Sequence, residues 1–562
     1  MKMKKVWALA LLLAVLFTAC GRDEYDVLIH NAMIYDGTGA APFSGSVAIK
    51  GDRIAWVGPD TTLPAKTRID AAGQAVAPGF INMLSWAPRA LMMDGRSQSD
   101  IRQGVTLEIF GEGWSDGPLN DAMKEEMRSN QKDFRFDVSW TTLGEFLEHL
   151  EQRGVSPNIA SFVGATTVRI HVLGEEDRAP DAAELEKMRG LVRQAMEEGA
   201  MGLASALIYA PGFYAGTDEL IALAKVVAEY GGMYISHMRS EGNQLLQAID
   251  ELVTIAREAG VPAEIYHLKA AGRQNWHKLD AAIAKIEKAR AEGLRISADM
   301  YNYTAGATGL DAAMPPWVQE GGYKMWKQRL QEPMTRQKVL QEMLTPTDKW
   351  ENLFLAAGAE NMILVGFRND SLKHLTGKRL ADVAAQRKKS PAETIIDLVV
   401  EDGSRVETVY FLMSEDNVKK QIALPWISFC SDAGSLAPEG LFLKRQPHPR
   451  AYGNFARLLG KYVRDEKVIP LQEAIRKLTS LPADNLGIRD RGRLQVGHFA
   501  DIVVFDPATI QDHATYDQPH QYATGVQHVF VNGVQVLRDG EHTDARPGRF
   551  VRGPGWVGHS GK

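Results

Sequence analysis

Residues 233–268 read "MYISHMRSEGNQLLQAIDELVTIAREAGVPAEIYHL", and their reading decides the fold. The two ends, "MYISHM" and "AEIYHL", are short apolar runs of strand length. Between them "NQLLQAIDELVTIAREAG" repeats its apolar residues at helical spacing. A strand, an amphipathic helix and a second strand in that order form a parallel βαβ unit. Working outward, the same rhythm recurs at "GFINML", "VTLEIFGEG", "NIASFVGA", "MGLASALIY", "RISADMY" and "WISFCSD". Helical segments such as "DELIALAKVVAEYGG" and "KLDAAIAKIEKARAEG" lie between them. Together these make eight strand segments, and an α/β fold of the (β/α)8 TIM-barrel type is expected over 78–485. A doubly wound sheet fits less well, because no glycine-rich phosphate loop follows the first strand.

The flanks have another texture. Residues 26–77 are short alternating segments broken by Asp-Gly and Gly-Asp turns, which predicts a small antiparallel sheet. The texture returns at 486–550, in "GRLQVGHFADIVVFDP" and "VQHVFVNGVQVLRDG". One small β-sandwich built from both chain ends is expected. Between the seventh and eighth strands lies an oversized insertion, about 306–425, placed either as a substrate lid or as packing.

Bulk properties narrow the partners. The 562 residues are 45% hydrophobic and 24% charged, as in a soluble globular enzyme. The net charge of -6 is spread without a basic block, which argues against nucleic acid, since binding phosphates takes clustered Lys and Arg. The start, "MKMKKVWALALLLAVLFTAC", has a positive n-region at Lys2, Lys4 and Lys5, then an apolar core and small residues before Cys20. It reads as a signal peptide over 1–20, either of the ordinary kind or of the bacterial lipoprotein kind with Cys20 lipidated. The lipoprotein reading implies a membrane partner through a lipid anchor. Gly21 after Cys20 then resembles sorting to the periplasmic face of the outer membrane in a bacterial envelope. The other cysteine is Cys430, so a lipidated chain has no intrachain disulfide framework.

Three residues carry the chemistry. His237 and His267 end adjacent strands one βα repeat apart, so both imidazoles face the same mouth. One strand-end histidine among 14 means little; two at equivalent ends are a metal candidate. Asp432, in "WISFCSDAG", ends the last strand at the same face, where a carboxylate can move protons or cap a turn.

These motifs resemble a known family. "GQAVAPGFIN", "QGVT", "ALIYAPG", "ISHMRSEG", "IYHLKAAG", "ADMYNYTAGATGL", "SDAG", "HPRAYGNFARLLG" and "GRLQVGHFADIVVFDP" are similar to the D-aminoacylase branch of the amidohydrolase superfamily, over nearly all of 26–550. Members are N-acyl-D-amino-acid deacylases with a barrel and a sandwich made from both termini. The resemblance implies a small-molecule substrate, an N-acyl amino acid or a short peptide. It also implies one zinc per chain, held by His237, His267 and a third ligand from the second strand, where the family commonly has Cys. Glu112 sits about there, with Gly113 as the other alignment. Asp432 is then general base and acid towards a zinc-activated water. Tyr209, Lys269 and Tyr301 match positions lining the pocket, and Arg450 matches one that holds the substrate carboxylate. Ala307 stands where Ser is usual, and Arg239 either braces the strand end or touches substrate.

One departure stands out. The family's first strand carries a histidine pair for another metal position, and here Leu84 and Trp86 occupy it. Neither can ligate a metal, so a one-metal site is expected. The readings left open are the deacylase, a dipeptidase or other amidase of the same superfamily, and a degenerate binding lipoprotein.

Overall fold

A computed structural model of the chain describes residues 24–131 and 133–558. The signal peptide expected at 1–20 and the expected lipidation of Cys20 lie outside the described residues. No helix among the described residues is long and apolar enough to cross a membrane.

Nine strands drawn from both chain ends form one sheet. Its centre is the antiparallel pairing of Ala75–Pro78 with Ile502–Phe505, segments separated by most of the sequence. On one side follow Tyr25–Ile34, Phe43–Lys50 and Arg53–Gly58; on the other follow Val526–Val531, Val534–Arg538 and Glu541–His542. The expectation of an antiparallel sheet at the N-terminal end needs correcting. Tyr25–Ile34 runs parallel to both Ala65–Asp70 and Ala75–Pro78. The physical reason is a crossover: after the hairpin ending at Gly58, the chain returns to the far side of its own first strand.

The middle of the chain is α/β. Phe80–Asn82, Val105–Phe110 and Asn158–Ser161 pair in parallel. Val163–Gly164, Gly202–Ala206, Met233–His237, Ala263–Ile265, Ile296–Met300 and Ile427–Phe429 form a second parallel sheet in that order. All the strand segments expected from the sequence are present. The outer edges of the two sheets meet: Met83 N donates to Phe429 O at 3.2 Å and Asp432 N to Leu84 O at 2.9 Å. Buried on both faces, these strands are near-continuous apolar runs, as in Val105–Phe110, where every residue is buried.

The helices supply the outer cover. Leu245–Ala259 buries Leu245, Ala248, Ile249, Leu252, Ile255, Ala256 and Ala259, one stripe at i, i+3, i+4 and i+7 spacing. Each large aliphatic side chain in such a stripe contributes about 1.5–3 kcal/mol on burial. The helix stops at Gly260, whose φ of 67° is the left-handed conformation that favours glycine. The 306–425 insertion holds an antiparallel sheet of Ala305–Gly309, Glu407–Phe411 and Met362–Gly366. Leu330, Val339, Ile395 and Val399 from its helices share an apolar cluster with Tyr266 and Tyr301, residues of the strand ends.

Candidate metal centre

The C-terminal ends of the parallel strands gather the expected residues. Glu112 follows Val105–Phe110, His237 ends Met233–His237, and His267 lies just beyond Ala263–Ile265; all three are buried. Ligand atoms of the three lie within 4.8 Å of one another. Glu112 Oε1 is 2.9 Å from His237 Nδ1 and 2.8 Å from His267 Nε2. Gly113, the other position the alignment allows, offers no side-chain ligand. Gly113 has a φ of +67°, and a Cβ there would meet the Ala206 Cβ at 2.6 Å, so this position takes no side chain.

His267 and Asp432 both have positive φ, 34° and 46°. Left-handed backbone at non-glycine residues is costly and persists where surroundings over-determine it. At His267 the surroundings include Asp299, whose Oδ1 accepts the His267 backbone N–H at 2.6 Å. At Asp432 they include the backbone bond to Leu84. The strand ends are thereby bent so that both side chains face the cluster.

A network absent from the sequence reading surrounds the histidines. Glu241 Oε1 lies 3.0 Å from His267 Nδ1 and 2.6 Å from Lys269 Nζ, and Glu241 Oε2 lies 3.7 Å from His237 Nε2. Lys269 is thus engaged by a carboxylate beneath the site, with its ammonium 5.4 Å from the Tyr301 ring centre. Burial alone would raise the Glu241 pKa, but Lys269 and the two histidines hold it well below the carboxylate range. Glu241 was within reach of sequence reasoning: it sits four residues after His237, inside "ISHMRSEG". Beyond it, Glu351 accepts the Glu241 backbone N–H at 2.8 Å. Burial and the Glu241 charge push Glu351 up to about 8. A cavity of about 610 Å³ between residues 239–275 and 346–356 is lined in part by Glu351. This cavity is not lined by Glu112, His237 or His267.

The donor set fits a divalent cation. Burial and Lys269 oppose a proton on His267, yet Glu241 and Glu112 push its pKa up to about 10. Glu112 itself is raised by burial and pulled well below its usual range by the two histidines. The cluster therefore stabilises positive charge between its carboxylates. Two imidazoles and a carboxylate are a zinc donor set that leaves a coordination place open. His237 Nε2 is buried with no hydrogen-bond partner, and its ring packs edge-on to Tyr209 with centroids 5.3 Å apart.

The remaining residues line the same space. Asp432 Oδ2 lies 2.9 Å from Arg450 Nη1, an ion-pair contact. Nε of this buried guanidinium has no hydrogen-bond partner, so one donor is left for a further acceptor. The guanidinium carbon stands 4.3 Å over the Tyr301 ring. Burial raises the Asp432 pKa and Glu112 adds to it, against Arg450 and His267. Three other residues singled out from the sequence lie as follows. Arg239 turns away to bond the Glu251 carboxylate and the carbonyls of Phe213 and Ala215, so it braces the strand end. Leu84 is fully buried among apolar neighbours, and Ala307 lies in the insertion's sheet.

Comparison with known proteins adds three findings. A sequence profile described as the amidohydrolase family matches residues 444–537. The D-aminoacylase of Alcaligenes xylosoxydans xylosoxydans is 31% identical over 533 residues, covering 94% of this chain and 98% of that relative. Two solved structures superpose with a TM-score of 0.78, each over 94% of this chain and 100% of the other. One, 29% identical, is an N-acyl-D-glutamate deacylase from Bordetella bronchiseptica complexed with zinc and a phosphonate mimic of the tetrahedral intermediate. The other, 31% identical, is a D-aminoacylase described by one-metal activation and second-metal attenuation.

Proposed function

The chain belongs to the D-aminoacylase family of amidohydrolases, and on that premise we propose that it removes the acyl group from N-acyl-D-amino acids with one zinc ion per chain. The observation that carries this is the convergence of Glu112, His237 and His267 beside Asp432 and Arg450 at one set of strand ends. We read the two parallel sheets as staves of one (β/α)8 barrel over 78–485. The two-ended sheet, 26–77 and 486–550, is read as the companion β-sandwich.

Glu112, His237 and His267 would hold the ion. When bound there, zinc polarises the scissile carbonyl and lowers the pKa of water towards about 7. Arg450, stacked on Tyr301, takes the substrate carboxylate with guanidinium donors that include the unpartnered Nε. Tyr209 closes the side beside His237. Asp432 accepts one proton from the attacking water as the C–O bond forms. It returns that proton to the departing nitrogen as the C–N bond breaks, giving the carboxylic acid and the free amine. Burial, which raises its pKa, brings it nearer the range for both tasks. Glu241 and Lys269 set the His267 ring from behind. Leu84 and Trp86 in place of the family's histidine pair support the single-metal reading, as does the one-metal activation described for a relative.

The chain from Gly21, purified without added metal, is expected to hold about one zinc by elemental analysis. It should hydrolyse N-acyl-D-amino acids far faster than the L-enantiomers. No zinc even after zinc is offered would sink the mechanism and favour a binding protein. Zinc without enantiomeric preference would favour another amidase. Anchoring at the periplasmic face of the outer membrane rests on residues 2–21 alone. A Cys20→Ser variant is then expected to move from the membrane fraction to the soluble one, and unchanged fractionation would refute the anchor.

A further inference from the structure

Trp86 does more than fill a vacated position. Its indole Nε1 lies 3.1 Å from Glu112 Oε2 and 3.2 Å from Asp432 Oδ1, so one N–H is shared between the two carboxylates. The two oxygens belong to groups with different tasks, one facing the histidines and one facing Arg450. Like charges this close repel, and among the described residues no lysine or arginine hydrogen-bonds Glu112 Oε2. A neutral donor between them offsets that repulsion and fixes which oxygen of each group points where.

The backbone holds the indole in place. Trp86 N donates to Ala433 O at 2.9 Å, and Ser85 N to Ile109 O at 2.8 Å. Ser85 also pairs with Ala433 in a parallel bridge at the junction of the two sheets. The Trp86 segment is therefore tied to both strand ends whose carboxylates it joins. The residue is itself 43% exposed, so the bridge lies at an open side of the cluster.

We propose that Trp86 is a positioning residue whose indole N–H bridges Glu112 and Asp432, setting the carboxylate pair for a one-metal site. The inference rests on the assignment of Glu112 and Asp432 made above. Through Glu112 the bridge governs how firmly the ion is held; through Asp432 it governs the proton transfer. Among the described residues the Trp86 indole hydrogen-bonds Glu112 and Asp432 and neither Arg450 nor Tyr301, so substrate capture is not the task assigned to it.

The test replaces the N–H and little else. Trp86→Phe keeps an aromatic body, and 3-benzothienylalanine at position 86 exchanges the N–H for sulfur in nearly the same shape. Zinc affinity is measured by competition with a chromophoric chelator, beside kcat and KM on an N-acyl-D-amino acid. Both variants are expected to bind zinc roughly 10-fold more weakly, in line with the loss of a group that orients a ligand. With zinc saturating, kcat should fall about 10- to 100-fold at nearly constant KM. Zinc bound by the parent, with affinity and kcat unchanged in both variants, would overturn this inference alone. So would a rise in KM without loss of kcat, which would make Trp86 a substrate contact. Loss in the Phe variant but not in the sulfur isostere would also overturn it, because shape rather than the N–H would be responsible. A parent that binds no zinc would overturn the underlying site assignment instead.

Discussion

Asp432→Asn is expected to lower kcat by about 10²- to 10⁴-fold while leaving the zinc content at the parent's level. The carboxamide keeps an oxygen where Trp86 Nε1 now stands 3.2 Å from Oδ1. It keeps the left-handed backbone too, a conformation that Asn tolerates well. What disappears is the ability to take a proton from water and return it to the leaving nitrogen. KM should stay within a few-fold, because the Arg450 fork is freed from its 2.9 Å contact with the carboxylate rather than lost. Steady-state kinetics with elemental analysis of the same samples provide the check. A kcat within a few-fold of the parent would show that another group moves the proton. Loss of zinc together with activity would make Asp432 a ligand.

Glu112→Ala carries the other large effect: bound zinc falls from about one per chain to near none, with hydrolysis at background. His237→Ala should behave alike. The reason is the single oxygen, Glu112 Oε1, that stands within 2.9 Å of one imidazole and 2.8 Å of the other. Removing it takes away one of three donors and leaves two buried rings short of a partner, at about 1–3 kcal/mol for each unsatisfied group. Elemental analysis after gel filtration reads the result directly. Zinc that survives Glu112→Ala but not His237→Ala would move the third ligand elsewhere. Glu241, 3.0 Å from the other nitrogen of His267, is then the first residue to examine.

Much of this arrangement was legible in the order of residues. Apolar runs alternating with amphipathic helices announce parallel strands, because burial on both faces leaves no room for a polar alternate. The spacing of His237 and His267 by one βα repeat placed both rings at one mouth. Asp432 followed from its place at a strand end, and Glu112 from the family resemblance. Pairing between distant segments was not legible. Nothing in "YDVLIHNAMI" says that it lies parallel to Ala65–Asp70, since a period of two is the same in both senses. The role of Trp86 was hidden for a related reason. A hydrogen bond between residues 86 and 432 depends on backbone conformations, here a positive φ at Asp432, that spacing does not encode. Trp86 could be read from sequence only as something that does not bind metal.

The sheet built from both ends of the chain also has a consequence for synthesis. Ala75–Pro78 leaves the ribosome 424 residues before its antiparallel partner begins at Ile502, counting from 78 to 502. At roughly 5–20 residues per second, that delay is on the order of 20 to 85 seconds. Throughout it the N-terminal strands present an open edge with unsatisfied backbone groups, the kind of edge that recruits other strands. The parallel strands between them can assemble meanwhile, each with the neighbour made just before it. The last pairing, made when the final strands emerge, closes that edge. A nascent chain stalled before residue 502 would therefore carry a nearly complete catalytic centre beside an adhesive, half-built sheet.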